Sequence, residues 1–145
     1  MGKVNHYNYR AKPETVYGPA EINPDLPKGL MADSGLEARM IRLLIEAKVP
    51  FKFHVKYNLP TRDGHRTFNY TIDFVFPSPV KFRAVGKWIT HLEIKGVLTP
   101  WDLERIECLE HRIDCKGFIA LPSVVEFWEK FGLDGRRNNG QKPVG

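Results

Sequence analysis

Apolar residues at Leu36, Met40, Leu43, Leu44 and Ala47 recur at the spacing of one helical face. The stretch opens at Ser34 with Glu37 three residues on, a pattern in which hydroxyl and carboxylate satisfy the free N–H groups of a helix start. Val49-Pro50 ends it. The period then drops to two. Phe51, Phe53, Val55 and Tyr57 alternate with Lys52, His54 and Lys56, which predicts a strand with one buried face. Arg62-Asp63-Gly64-His65 supplies a hairpin turn, and residues 67–76 the return strand, closed by Pro77-Ser78-Pro79. Another extended stretch is predicted over 80–95, bent near Gly86. Thr99-Pro100 begins a second helix, with Leu103, Ile106 and Leu109 on its apolar face. Residues 117–121 are apolar throughout and read as a buried strand, and a last helix covers 124–131 up to Gly132.

This order places the chain in the α/β class, as one mixed sheet flanked by helices on both faces. The strand–helix–strand passage from Glu93 to Leu121 gives it one parallel pair. Residues 1–33 sustain neither period and contain four prolines, so they read as an extended N-terminal arm. The core is expected over 34–132, and 133–145 as a basic flexible tail. There is no internal repeat.

At 145 residues, 42% hydrophobic and 27% charged, the chain has enough material for one domain with a real core. No apolar run is long enough to cross a bilayer, so no membrane partner is expected. The opening Met1-Gly2-Lys3-Val4-Asn5-His6 lacks the apolar stretch of a secretory signal, which predicts an intracellular, cytoplasmic protein, in the host cytoplasm if viral. Cys108 and Cys115 have no zinc spacing around them and read as reduced thiols. The net charge of +5 points toward a polyanionic partner without naming one.

The chemistry is concentrated late on two strands. Alternation puts His91, Glu93 and Lys95 on one face and the apolar pair Leu92 and Ile94 on the other. The string acid-x-Lys occurs three times, but Glu46-Ala47-Lys48 lies on a helix and Asp114-Cys115-Lys116 in a loop; only Glu93-Ile94-Lys95 lies on a strand. Asp73 stands between Ile72 and Phe74, where an unpaired buried carboxylate is costly. Two carboxylates about 4 Å apart repel by roughly 4 kcal/mol at an effective dielectric near 20, and a shared divalent cation reverses that cost. Oxygen ligands suit Mg²⁺, with Mn²⁺ as a substitute, and such an ion beside a lysine polarises a phosphodiester. The plain alternative is a Glu93–Lys95 surface salt bridge with Asp73 at a strand end, and for Glu37 a capping role alone.

Ser34-Gly35-Leu36-Glu37, Thr71-Ile72-Asp73-Phe74-Val75 and Leu92-Glu93-Ile94-Lys95-Gly96 together resemble the PD-(D/E)XK nuclease superfamily, with a spacing similar to the phage endonuclease I type of Holliday-junction resolvase. The stretch Ser123-Val124-Val125-Glu126-Phe127-Trp128 is similar to that group's last helix, and the resemblance covers about residues 34–132. It implies a restriction-endonuclease-like core, Mg²⁺-dependent cleavage of branched DNA, and a homodimer. By motif, Asp73 and Glu93 match the metal-binding acids, Lys95 the catalytic lysine, and Glu37 the helix-borne glutamate that completes the metal set. The family's usual proline before the aspartate is Ile72 here.

Candidate phosphate contacts are Arg62, His65 and Arg66 on the hairpin, Lys81, Arg83 and Lys87 ahead of the acid-bearing strand, and Arg136, Arg137 and Lys142 in the tail. Trp88 and Trp101 read as packing residues, and His91 as a strand histidine near the acids. Two alternatives stay open: a nicking, restriction-like or repair endonuclease on duplex DNA, and an inert DNA-binding or assembly protein on the same fold.

Overall fold

A computed structural model describes residues 12–134 together with 136–137. Strands β1 (Glu14–Val16) and β2 (Leu30–Ala32) pair antiparallel ahead of helix α1 (Gly35–Glu46). Strands β3 (Lys52–Pro60), β4 (Thr67–Lys81) and β5 (Ile89–Ile94) follow, then α2 (Pro100–Ile113), β6 (Gly117–Ala120), α3 (Pro122–Phe131) and the short β7 (Arg136–Arg137). The main sheet has the order β3-β4-β5-β6, with β7 beside the far end of β4. Its β5–β6 pair is parallel and the rest antiparallel, the mixed sheet that the pattern predicts. Helices α1 and α3 pack together over the larger core, while α2 covers the smaller one built from Leu59, Tyr70, Ile72, Leu109 and Cys115. Among the described residues no helix is long and apolar enough to cross a membrane.

Local chemistry accounts for the helix starts. Ser34 has extended backbone and its hydroxyl accepts the N–H of Glu37. Thr99 and Asp102 form a complete capping box, with Pro100 in the first turn. The inward face of α2 is Asp102, Ile106 and Leu109, whereas Leu103 is 50% exposed. The expected stripe is thus displaced by one residue, because a buried acid takes its first position. Gly117 is what lets α2 settle: a Cβ there would lie 2.6 Å from the Ile106 side chain.

Four expectations are corrected. Residues 12–33, expected as part of an arm, lie on the domain and share its core, while residues 1–11 lie outside the described residues. Val16, Ile22, Leu26, Leu30 and Ala32 are buried in the main core, and Arg42 on α1 pairs with Glu14. Nor is residue 132 a clean end to the packed unit: Leu133 is buried and β7 joins the sheet, while 135 and 138–145 lie outside the described residues. Strand β4 does not stop at Pro77-Ser78-Pro79 but runs on to Lys81; its register with β5 shifts between Val75 and Val80, so the prolines fall where that ladder is interrupted. Finally, β3 does not bury one face. Phe51 and Phe53 pack into the main core, whereas Val55 and Tyr57 pack into the smaller one. The change comes at His54, whose φ of 52° is left-handed near the start of the strand.

Candidate active site

The flanking pairs Phe53↔Phe74 and Val55↔Ile72 set His54 opposite Asp73, and the pair Phe74↔Leu92 extends the row to Glu93 on β5. The structure therefore brings the two sequence-predicted acids together. Glu93 Oε1 accepts the backbone N–H of Asp73 at 3.1 Å, and Asp73 Oδ2 accepts that of Ile94 at 2.8 Å. The acids bond the backbones of β4 and β5 here, beyond the last Cα pair, Phe74↔Leu92. Both carboxylates are buried, at 8% and 6% exposed.

Glu37 reaches the same place from the first turn of α1. Its side chain does not return to the Ser34 N–H as a full capping box would. Instead Oε1 accepts the N–H of Asp33 at 3.1 Å and lies 3.0 Å from His54 Nε2. That imidazole nitrogen is also 3.6 Å from Asp33 Oδ2 and 3.7 Å from Asp73 Oδ1. Asp33 and His54 are more open to solvent than Glu37, Asp73 and Glu93.

The electrostatics follow from burial and crowding. Burial, then the charges of Glu93 and Glu37, hold Asp73 well above the ordinary carboxylate range. Burial also raises Glu93, against the hydrogen bonds it shares with Asp73 and the pull of Arg105 and Lys95. Glu37 moves the other way: burial would raise it, but the bonds from His54 and the Asp33 N–H outweigh that and lower it. His54 is raised, chiefly by its bond to Glu37. Burial is the largest cause for all three acids, and for Asp73 the charges of Glu93 and Glu37 add to it.

Lys95 does not pair with Glu93, contrary to the salt-bridge alternative. Its Nζ lies 3.4 Å from Oδ1 of the buried Asp102 at the start of α2. Arg105 binds the same oxygen at 2.7 Å, approaches Glu93 Oε2 at 3.9 Å, and lies over the Tyr70 ring at 4.7 Å. Lys95 lies just past β5, which ends at Ile94, and Asp102 ties it to α2. His91, although near in sequence, is engaged elsewhere: Tyr57 Oη and Thr90 Oγ1 each lie 2.8 Å from its ring nitrogens, and burial pushes it down to about 4.

Asp33, His54, Asp102 and Arg105 carry no motif that marks them. His54 alternates like any polar strand residue, and Asp102 is one acid among several on its helix. The signal is in tertiary contact alone.

Among the described residues the predicted phosphate contacts are not gathered at the acids. Arg62, His65 and Arg66 lie at the β3–β4 hairpin, six or more residues along the strand from Asp73, on the order of 20 Å at strand rise. Arg62 pairs with Glu107 at 3.2 Å, and Arg83 donates to the Gly132 carbonyl at 3.2 Å. Lys81 and Lys87 lie toward the opposite end of β4 and the turn after it. The backbones of Arg136 and Arg137 pair with Lys81 and Val80; their side chains, and Lys142, lie outside the described residues. Trp101 is half-exposed and packs on Phe68 at 5.1 Å.

No family model, curated protein or solved structure matches the chain.

Proposed function

We propose that this chain is a Mg²⁺-dependent endonuclease that hydrolyses phosphodiester bonds in DNA, with branched DNA as its substrate. One observation carries the cleavage reading: Asp73 and Glu93, both buried, bond each other's strands, while Glu37 reaches Asp73 from α1 and Lys95 and Arg105 border Glu93. An all-oxygen set in surplus negative charge fits a hard divalent cation such as Mg²⁺ or Mn²⁺.

Asp73 and Glu93 would hold that ion, with Glu37 at its margin. When bound, it supplies Lewis-acid polarisation of the phosphate. The chain's own groups do the rest. Lys95, 31% exposed and steadied by Asp102, offers its amine to a phosphate oxygen or to the attacking water. Arg105 keeps a second cation beside Glu93. In the reaction a water oxygen bonds to phosphorus, the bond to the sugar oxygen breaks, and the water's proton ends on the leaving side.

The branched substrate and a two-fold homodimer rest on the motif resemblance, since paired cuts across a junction need two sites. An intracellular place of action belongs to the same reading, as the setting in which branched DNA arises. Matched linear, nicked and four-way DNA, each with Mg²⁺ or with chelator, tests the proposal. Metal-dependent cutting centred on the four-way form is expected. Equal cutting of linear duplex removes the junction claim, and binding without cutting in either Mg²⁺ or Mn²⁺ removes the nuclease.

A further inference from the structure

Donor atoms of Asp33, Glu37 and His54 all lie within 4.8 Å of one another. They come from the bend before α1, the first turn of α1, and the start of β3. Asp33 is 75% exposed at its side chain, His54 partly so, and Glu37 closes the bottom. The cluster therefore opens to solvent on one side.

His54 holds this position on an uncommon backbone. Its φ of 52° is left-handed, which is uncommon within a strand for residues other than glycine, although histidine and asparagine adopt it more readily than most. The ring is then fixed by stacking on Phe53, centroids 3.7 Å apart and planes 21° from parallel. That leaves Nε2 directed at Glu37, with Asp33 and Asp73 next nearest. The nuclease reading above uses Glu37 but gives His54 and Asp33 no task.

We propose that Asp33, Glu37 and His54 form a cation seat beside that of Asp73 and Glu93, and that the imidazole makes it select a first-row transition dication of the Mn²⁺ class over Mg²⁺. The reason lies in the donors. Two carboxylates and an imidazole nitrogen suit Mn²⁺ and its heavier neighbours, whereas Mg²⁺ demands oxygen and keeps its waters. The open side leaves positions for solvent. The inference rests on the nuclease reading only for the neighbouring seat, and its test uses no DNA.

The full chain is titrated with Mn²⁺ alone and followed by electron paramagnetic resonance, then challenged with excess Mg²⁺. Two Mn²⁺ per chain are expected, one of them displaced by Mg²⁺, with the retained ion showing ¹⁴N coupling in pulsed spectra. His54→Asn is the main variant, because asparagine tolerates left-handed backbone and should fold. It should erase the nitrogen coupling and weaken the retained ion by about tenfold or more. Asp33→Asn should weaken the same ion while keeping the coupling. Absence of ¹⁴N coupling in the parent protein, equal displacement of all Mn²⁺ by Mg²⁺, or an unchanged His54→Asn isotherm each overturns the proposal. Glu93→Gln separates the two readings. It should remove only the Mg²⁺-exchangeable ion, and if it removes none while the coupling persists, the nuclease reading loses its metal and the His54 seat stands.

Discussion

Asp73 and Glu93 each accept a backbone N–H from the strand that carries the other, at 2.8 and 3.1 Å, so the pair is locked together before any cation arrives. That arrangement favours function at the expense of stability. Asp73 is held well above its ordinary 3.8 by burial and by the charges of Glu93 and Glu37. A carboxyl raised on folding binds more protons in the folded than in the unfolded state, so stability falls as pH rises above about 3.8.

Asp73→Asn should therefore stabilise the metal-free protein at pH 8 while abolishing cleavage. Asparagine can still accept the Ile94 N–H, and the like-charge term disappears. A gain of about 1–2 kcal/mol, roughly 3–10 °C in melting temperature, is expected in chelator and should shrink toward pH 4. Thermal melts of both proteins across that range check it; a variant less stable at every pH would show that the charge is not the destabilising term.

Ser34 and Glu37 divide between them what the sequence joins in one motif. The hydroxyl caps α1, whereas the carboxylate turns to Asp33 and His54. Ser34→Ala should cost about 1 kcal/mol of stability and leave cleavage nearly intact. Glu37→Gln should lower the cleavage rate about 10–100-fold and also cost some stability, because the ionised carboxylate is held by His54 and the Asp33 N–H. Denaturant unfolding beside single-turnover kinetics distinguishes them, and the reverse pattern would return Glu37 to a purely capping role.

The fold was legible wherever short-range chemistry decides it. Ser34, Thr99-Pro100 and Gly132 mark helix ends through caps, and Asp63-Gly64 marks the hairpin, because each acts within a few residues. What stayed hidden depends on partners far along the chain. Strands β1 and β2 are three residues each, too short for a period to show, and they pair across the thirteen residues that separate Val16 from Leu30. The crossover of β3 between two cores turns on the backbone of one histidine. The acid pair was readable because Asp73 interrupts an apolar strand and Glu93-Ile94-Lys95 alternates. Asp102 was not singled out, since its hold on Lys95 and Arg105 arises from how α2 docks.

Asp102 should act as a positioning residue for Lys95. Asp102→Asn removes the charge that faces both Lys95 Nζ and the Arg105 guanidinium, and it also weakens the cap. The catalytic rate should fall about 10–100-fold, with little change in KM or in metal affinity. Thr99→Ala is the control, because it loses the cap but keeps the carboxylate beside Lys95. If Thr99→Ala lowers the rate as far as Asp102→Asn does, the effect belongs to the helix end and not to the lysine.

His91 gives the protein a second pH dependence, of opposite sign to that of Asp73. The ring is buried against Tyr57 and Thr90, and burial lowers it from 6.5 to about 4. Unfolding frees the ring to bind a proton that the folded state refuses. Between pH 6.5 and about 4 the unfolded chain therefore holds more protons, and stability rises with pH across that window. The contribution is complete above pH 6.5 and is lost as pH falls toward 4, with a slope approaching one proton. His91→Gln, which keeps a polar side chain facing Tyr57 but cannot titrate, should flatten that part of the profile. Denaturant unfolding of both proteins at half-unit steps from pH 4 to 7 measures the difference. Parallel curves would mean that His91 is as free to protonate in the folded protein as in the unfolded chain.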